Sequence, residues 1–193
     1  PDIRLIKVPG CWEPQGVGEP GISQTWDMTD CGPYPLRHVY MGSAWYRRTV
    51  LIPAAWQGKR VWLKIGGVRS QGWFWVNGKP VAHNDSYCGV YKHDVTDCVI
   101  PGQQATVVVL VRNDLPSRKG SLGWRHRAGG LYRDVELEAT PDTRIDNAWV
   151  AGDFDGKAAV THATVSYATE AGRLKNPVLQ VKVRPASGNG PSA

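Results

Sequence analysis

Residues 60–83 read RVWLKIGGVRSQGWFWVNGKPVAH, and this stretch constrains the fold more than any other in the chain. Val61, Leu63 and Ile65 alternate with Trp62 and Lys64, and Phe74 and Val76 alternate with Trp73 and Trp75. A period of two belongs to half-buried strands and excludes a helix, whose apolar positions recur every three or four residues. The Asn77-Gly78 dipeptide suits the positive φ angles of a type I′ turn, so residues 73–76 and 80–83 are predicted to form a tight hairpin. The composition agrees: 22 Gly and 14 Pro in 193 residues, set among β-branched and aromatic side chains, give many turns and an all-β chain of one large or two small domains.

Along the chain, residues 1–43 are dense in Gly and Pro and read as long loops wrapping a sandwich. Residues 44–52 form a strand in which Trp45 and Tyr46 point to opposite faces, and residues 53–56 form the bend that closes it. A polar loop at 83–87 leads to a strand at 90–95, after which Asp94 and Thr96 are expected to hydrogen-bond the backbone of their own turn. Residues 105–112 form a central strand whose valines on both faces predict burial on both sides. The loop 113–127, NDLPSRKGSLGWRHR, is longer than an ordinary sandwich turn, and long loops on rigid sheets are where binding tends to be placed. Leu131, Arg133, Val135 and Leu137 then return on one side of a strand, with Tyr132, Asp134, Glu136 and Glu138 on the other. Beyond Pro141 three further strands are expected at 146–150, 158–167 and 177–183, before a Gly/Pro/Ser tail.

The segments WYRRTVLIPAAWQGKRVWLKIGGV, FWVNGKPV, YKHDVTD and RAGGLYRDVELEA, in that order, resemble the N-terminal sugar-binding domain of glycoside hydrolase family 2 over roughly residues 8–140. That family includes β-galactosidases, β-glucuronidases and β-mannosidases. The resemblance implies an all-β fold: an antiparallel jelly-roll β-sandwich, galactose-binding-domain-like, over residues 1–140, then an incomplete immunoglobulin-like segment over 141–193. Trp12-Glu13 in VPGCWE matches the family's entry motif, and Trp12 is expected to plug the sandwich from beneath. In the family a catalytic (β/α)8 barrel follows, and this chain does not contain it. A complete immunoglobulin-like sandwich needs about seven strands and about 100 residues. The chain is therefore expected to stop inside its second domain, or else to end in a small sheet packed on the first.

The formal charge of +6 is scattered over short clusters such as Arg47-Arg48, Lys59-Arg60, Arg118-Lys119 and Arg125 to Arg127, and no nucleic-acid-reading element accompanies it. Nucleic acid is thus not an expected partner. The longest apolar run, 105–111, is a strand's length and far short of the about 20 residues that a membrane-spanning helix requires, so no membrane partner is expected. No signal peptide begins at Pro1, as for a matured or trimmed chain, and an exported location, periplasmic or extracellular, is expected ahead of a cytoplasmic one. Cys11, Cys31, Cys88 and Cys98 permit three pairings, none dictated by the sequence, and the reading of most of them as reduced, buried side chains stands slightly ahead of disulfides. No cofactor is expected, and a structural calcium ion in the jelly roll is left open.

Glycoside hydrolysis requires two carboxyl groups about 5–10 Å apart. No pattern singles out two among Asp85, Asp94, Asp97, Asp114 and Asp134, so the chain alone is not expected to be catalytic. Carbohydrate binding is chemically credible, because a pyranose offers C–H groups to an aromatic ring and hydroxyls to polar side chains, and the chain has nine Trp and seven Tyr. Trp62, Trp73 and Trp75 lie in strands and are assigned to core or cross-strand packing. The loop aromatics Trp26, Tyr87 and Trp124 are the candidate stacking surfaces, with Asn84, Asp85, Arg118, Arg125 and His126 as polar partners. The loops at 83–87 and 113–127 are expected to converge at one end of the sandwich.

In β-galactosidases of the resembled family this loop sends an acidic residue to the active site two positions before the tryptophan equivalent to Trp124. Leu122 stands there, so the galactose contact does not carry over, while Arg125 or Arg127 can meet the carboxylate of an acidic sugar. The resemblance implies a non-catalytic carbohydrate-binding or scaffolding module of an enzyme that hydrolyses O-glycosidic bonds, with the barrel as its other partner. The alternatives are a stand-alone lectin-like protein and an accessory domain of another glycan-active enzyme, such as a sialate O-acetylesterase.

Overall fold

The computed structural model describes residues 3–20, 38–85, 89–114, 129–154, 156, 159–169, 178, 180 and 182. The chain divides into two compact units, 1–141 and 142–193. The first holds β1 (Glu19–Pro20), β2 (His38–Val39), β3 (Ser43–Leu51), β4 (Arg60–Ile65), β5 (Gln71–Val76), β6 (Lys79–Asn84), β7 (Tyr91–Asp94), β8 (Gln104–Arg112) and β9 (Val135–Thr140). Apart from the short β1–β2 pair, these form a four-stranded sheet in the order β3-β8-β5-β6 and a three-stranded sheet in the order β7-β4-β9. Every pairing is antiparallel.

The alternation read from the sequence decides what lies between the sheets. Val61, Leu63 and Ile65 of β4, Phe74 and Val76 of β5, and Ala105, Val107, Val109 and Val111 of β8 are all buried in one hydrophobic cluster. Residues 66–70 therefore carry the chain from one sheet to the other: β4 and β5 contribute to one core but share no backbone ladder. Fully burying a side chain such as Leu63 or Phe74 contributes about 1.5–3 kcal/mol, so this layer dominates the stability of the unit.

The hairpin forms as expected, with Asn77 at φ 49° and Gly78 at φ 78°. Asn77 also ties the hairpin to the neighbouring chain: Thr106 N donates to its Oδ1 at 2.8 Å, and its Nδ2 donates to the Cys98 carbonyl at 2.8 Å. The turn after β7 is the anticipated backbone-bonding turn. Thr96 donates to Asp94 Oδ1 from its N–H at 3.0 Å and from its hydroxyl at 2.5 Å, and the same hydroxyl accepts from Val61 N at 2.9 Å. Burial pushes the Asp94 carboxyl up, but Thr96 and the Arg60 guanidinium outweigh it and hold it below the usual carboxylate range.

One expectation is narrowed and one corrected. Of the core and cross-strand roles allowed for Trp73 and Trp75 the structure gives the second: the alternation that buries Phe74 and Val76 turns both indoles to the outer face, where they are half-buried. Trp73 stacks on His83 with ring centroids 4.5 Å apart, and Trp75 meets Trp45, itself 64% exposed, at 5.5 Å. For the same reason β8 is dry on one face only, since Val108 and Leu110 lie on the outer side and are half-buried. Trp62 occupies the outer side of the other sheet, donating from Nε1 to Thr140 Oγ1 at 2.8 Å beneath the Lys92 ammonium. Cys11 and Cys98 are free thiols and half-buried, while Cys31 and Cys88 lie outside the described residues.

In the second unit β10 (Arg144–Phe154) pairs with β11 (Ala159–Ala168). The strand expected at 177–183 falls largely outside the described residues. Ile145, Trp149, Val150, Phe154, Val160 and Tyr167 are all exposed on these two strands, and an isolated hairpin is marginally stable at best.

The layered packing has a direct test. Phe74→Ala should lower the unfolding free energy by about 3–5 kcal/mol, whereas Trp73→Ala, one residue away on the outer face, should cost less than half as much. Urea unfolding of both variants measures this, and equal losses would contradict the assignment of the two faces.

Candidate functional site

Strand pairing brings the ends of β6 and β8, from which the two candidate loops leave, to one end of the four-stranded sheet. Gly72, near the start of β5, pairs with Asn84 on one side and Val111 on the other, and Gln71 pairs with Arg112. β6 and β8 therefore finish side by side around β5, and the chain leaves both in the same direction.

Both feet of the longer loop are held by hydrogen bonds, part-buried at the outgoing foot and buried at the Glu13–Gly129 contact of the returning one. At the outgoing foot Asn113 bridges to the turn before β3: Gly42 N donates to Asn113 Oδ1 at 2.8 Å, and Asn113 Nδ2 donates to the Tyr40 carbonyl at 2.7 Å. At the returning foot Gly129 N donates to both carboxylate oxygens of Glu13, at 3.0 and 3.1 Å, and Gly130 exchanges backbone bonds with Arg69 at 3.0 and 3.2 Å. The glycines are required here. A Cβ on Gly129 would stand 2.4 Å from the Trp12 ring, and Gly130 has φ +115°.

Trp12 is 1% exposed and is the plug that the sequence suggested. It packs edge-on against Tyr40 with centroids 5.2 Å apart, and its Nε1 donates to the Tyr46 hydroxyl, which also accepts from Leu131 N at 3.3 Å. Burial raises the Tyr46 phenol to about 12.

Sequence reasoning passed over Glu13. It is 1% exposed, and burial pushes its carboxyl up to about 7 against the opposing pull of its own backbone bond, the Gly129 N–H and the Arg69 charge. Burial also raises the neighbouring Cys11 thiol, with Glu13 adding to the effect. The only signal in the sequence was its place beside Trp12 in the entry motif.

Of the predicted contact residues, Trp26, Tyr87, Arg118, Trp124, Arg125 and His126 lie outside the described residues. Asn84 ends β6 on its inward side and is 2% exposed, with Oδ1 3.3 Å from His93 Nε2 and, among the described residues, no partner for Nδ2. Burial lowers the His93 pKa, favouring the neutral ring. Asp85, the next residue, is half-buried and already engaged with a neighbour. Two of the carboxylates considered for catalysis are committed to arginines, Asp94 to Arg60 and Asp114 to Arg112, the latter pair through two bonds at 3.1 and 2.7 Å. Away from this end, the open side between β3 and β9 encloses about 710 Å³ with mostly apolar walls, among them Ile6, Val50, Leu131 and Val135.

The clamp predicts a specific pH dependence. The folded-state pKa of Glu13 lies above its ordinary value of 4.5, so its contribution favours folding most below that value and declines as pH rises through about 7. Glu13→Gln removes this titration. The stability of wild type relative to the variant should therefore fall by roughly 1–2 kcal/mol between about pH 4.5 and pH 7.5, allowing for screening. Paired urea titrations at the two pH values check it, and parallel pH profiles would show that Glu13 does not titrate in this range.

The profile described as glycosyl hydrolases family 2, sugar binding domain, matches residues 1–141. A β-glucuronidase of Paenibacillus borealis is 26% identical over 161 residues, covering 72% of this chain and 27% of its own length. A β-galactosidase of Streptococcus thermophilus is 28% identical over 178 residues, covering 90% of this chain and 16% of its own. The chain thus spans about a quarter or less of these relatives. Among solved structures, a β-glucuronidase from Ruminococcus gnavus in complex with D-glucuronic acid superposes with a TM-score of 0.59 at 24% identity, covering 68% of this chain and 26% of its own.

Proposed function

This chain belongs to the sugar-binding-domain family of the family 2 glycosyl hydrolases, and from that membership we propose that it is a non-catalytic carbohydrate-binding and scaffolding module of an enzyme that cleaves O-glycosidic bonds. The observation that carries the reading is the agreement between the family match, 1–141, and the first compact unit, 1–141. Curated relatives that cleave glycosides are several times longer than the aligned region, which leaves room outside it for the two carboxyl groups that hydrolysis requires.

On this reading the module supplies rigid feet for the loop 113–127, and the loop supplies sugar contacts. Trp124 offers a stacking face, Arg118, Arg125 and His126 offer hydrogen-bond donors, and Trp26, Tyr87 and Asp85 complete the surface. A sugar acid is the proposed substrate class, since Arg125 can bond a carboxylate in two-pronged fashion and one structural relative holds D-glucuronic acid.

Two measurements test the proposal. The 193-residue chain should release no p-nitrophenol from aryl β-glucuronide or β-galactoside, and turnover above background would overturn its non-catalytic half. In calorimetric or NMR titration it should bind uronic acid oligosaccharides with millimolar affinity, about 4 kcal/mol, and Trp124→Ala should weaken binding. Binding unchanged in Trp124→Ala would remove the contacts from this loop, and no response to any sugar at ~10 mM, about 2.7 kcal/mol, would leave a scaffold only.

A further inference from the structure

The outer face of the four-stranded sheet carries an arrangement that the loop site does not use. Leu110 of β8 has Trp45 of β3 on one side and Trp73 of β5 on the other, and the next outward position, Val108, lies between Arg47 and Trp75. Trp45 leans on Trp75 with centroids 5.5 Å apart and planes 37° apart, yet stays 64% exposed. Single exposed apolar residues are ordinary. Here, however, the two indoles are fixed by backbone ladders on either side of β8, Trp45 on the edge strand β3 and Trp75 on the inner strand β5, so a ligand would find them already ordered.

The charge on this sheet is one-sided. β3, β5, β6 and β8, reading SAWYRRTVL, QGWFWV, KPVAHN and QATVVVLVR, contain no Asp or Glu. The other sheet neutralises itself, with Lys64 bonded to Glu136 and Glu138 at 3.0 and 3.2 Å and Lys92 to Glu138 at 3.0 Å. On the four-stranded sheet Arg112 is matched by Asp114 and Lys79 donates to the Asp97 carbonyl, but among the described residues no carboxylate meets Arg47. Arg47 is two positions from Trp45 on the same face, about 7 Å along the strand.

We infer that this face is a second carbohydrate surface, which takes an oligosaccharide bearing uronic acid residues: a pyranose lies on Trp45 and Trp75, and Arg47 meets its carboxylate. Complementarity selects this occupant. A wholly apolar partner would bury Arg47 unpaired, which is costly, whereas a uronate brings C–H groups for the indoles and a counter-charge for the guanidinium. The surface is also continuous with the loop end. The row of Trp45, Leu110, Trp73 and His83 is one outward step from Ser43, Arg112 and Gln71, where β6 and β8 finish, so a glycan longer than one residue can run from the loop onto the sheet.

The test uses the 193-residue chain labelled with 15N, whose nine tryptophan indole N–H signals are assigned by single Trp→Phe variants. It is titrated with a glucuronic-acid-containing tetrasaccharide and with the carboxyl-reduced, neutral form of the same sugar. The expected result is that the Trp45 and Trp75 indole signals move. Trp45→Ala should weaken binding by about tenfold, the equivalent of 1.4 kcal/mol, with a thermal melt lowered by only about 2–8 °C, so that the chain stays folded during the titration. Arg47→Gln should cost about threefold for the acidic sugar and nothing for the neutral one. Loss of binding in Trp124→Ala with none in Trp45→Ala would overturn the sheet-face site and leave the loop reading intact, and the reverse pattern would separate the two in favour of the face. Absence of any indole shift overturns the sheet-face proposal. So does a chain that self-associates through Trp45, dissociates as Trp45→Ala and ignores both sugars.

Discussion

Everything in the first unit depends on one dry layer shared by two sheets that have no ladder in common. β4 delivers Val61, Leu63 and Ile65 from one side, and β5 and β8 deliver Phe74, Val76, Ala105, Val107, Val109 and Val111 from the other. Side chains on a strand alternate strictly, so the layer also fixes what faces outward. Slipping β5 by one residue would put Trp73 and Trp75 inside and Phe74 and Val76 in water, and β8 would no longer meet β4 across a matched interior. The hairpin turn opposes that slip twice: the positive φ angles of Asn77 and Gly78 set the register, and the Asn77 side chain is bonded to Thr106 N and the Cys98 carbonyl.

The two outer faces then carry different chemistry. The three-stranded sheet covers itself with Lys64, Lys92, Glu136 and Glu138, an exposed network of alternating sign that needs no ligand and adds little stability per pair. The four-stranded sheet covers itself with tryptophans and with Arg47, which meets no carboxylate among the described residues. Aromatic pairs across strands contribute of order 0.5–1.5 kcal/mol beyond area burial, so the Trp45–Trp75 and Trp73–His83 contacts give this face a structural reason to exist. That reason does not account for the exposure of Trp45, because the ring could serve β8 as well with its free side covered.

Much of this was legible in the sequence, for local reasons. The β4 and β5 alternation, the Asn-Gly turn, the Asp94–Thr96 turn and the Trp12 plug all follow from spacing or from entry-motif resemblance, and all are present. What spacing alone left open was non-local. Trp73 and Trp75 are apolar, and apolarity alone says that a residue wants burial without saying which of two alternating sets wins. Phe74 and Val76 won because they, and not the indoles, meet β4 across the gap. Glu13 was illegible for a related reason: nothing in its local sequence shows that Gly129, 116 residues away, will bring a backbone N–H to its carboxylate.

That long-range contact anchors the chain where it returns to the sandwich at Gly129. A long loop gains little from its own packing, and each ordered residue costs about 1–2 kcal/mol of backbone entropy. The fold lowers that cost by fixing the ends: Asn113 is held by Gly42 and Tyr40, and Gly129 by Glu13 and Trp12, before any ligand arrives. Gly129 cannot be exchanged for a residue with a side chain without displacing Trp12, and Trp12 in turn supports the Tyr46 hydroxyl that bonds Leu131 N. The returning foot is thus continuous with the core, through Glu13 and Trp12, whereas the tryptophan face of the sheet is held by its backbone ladders.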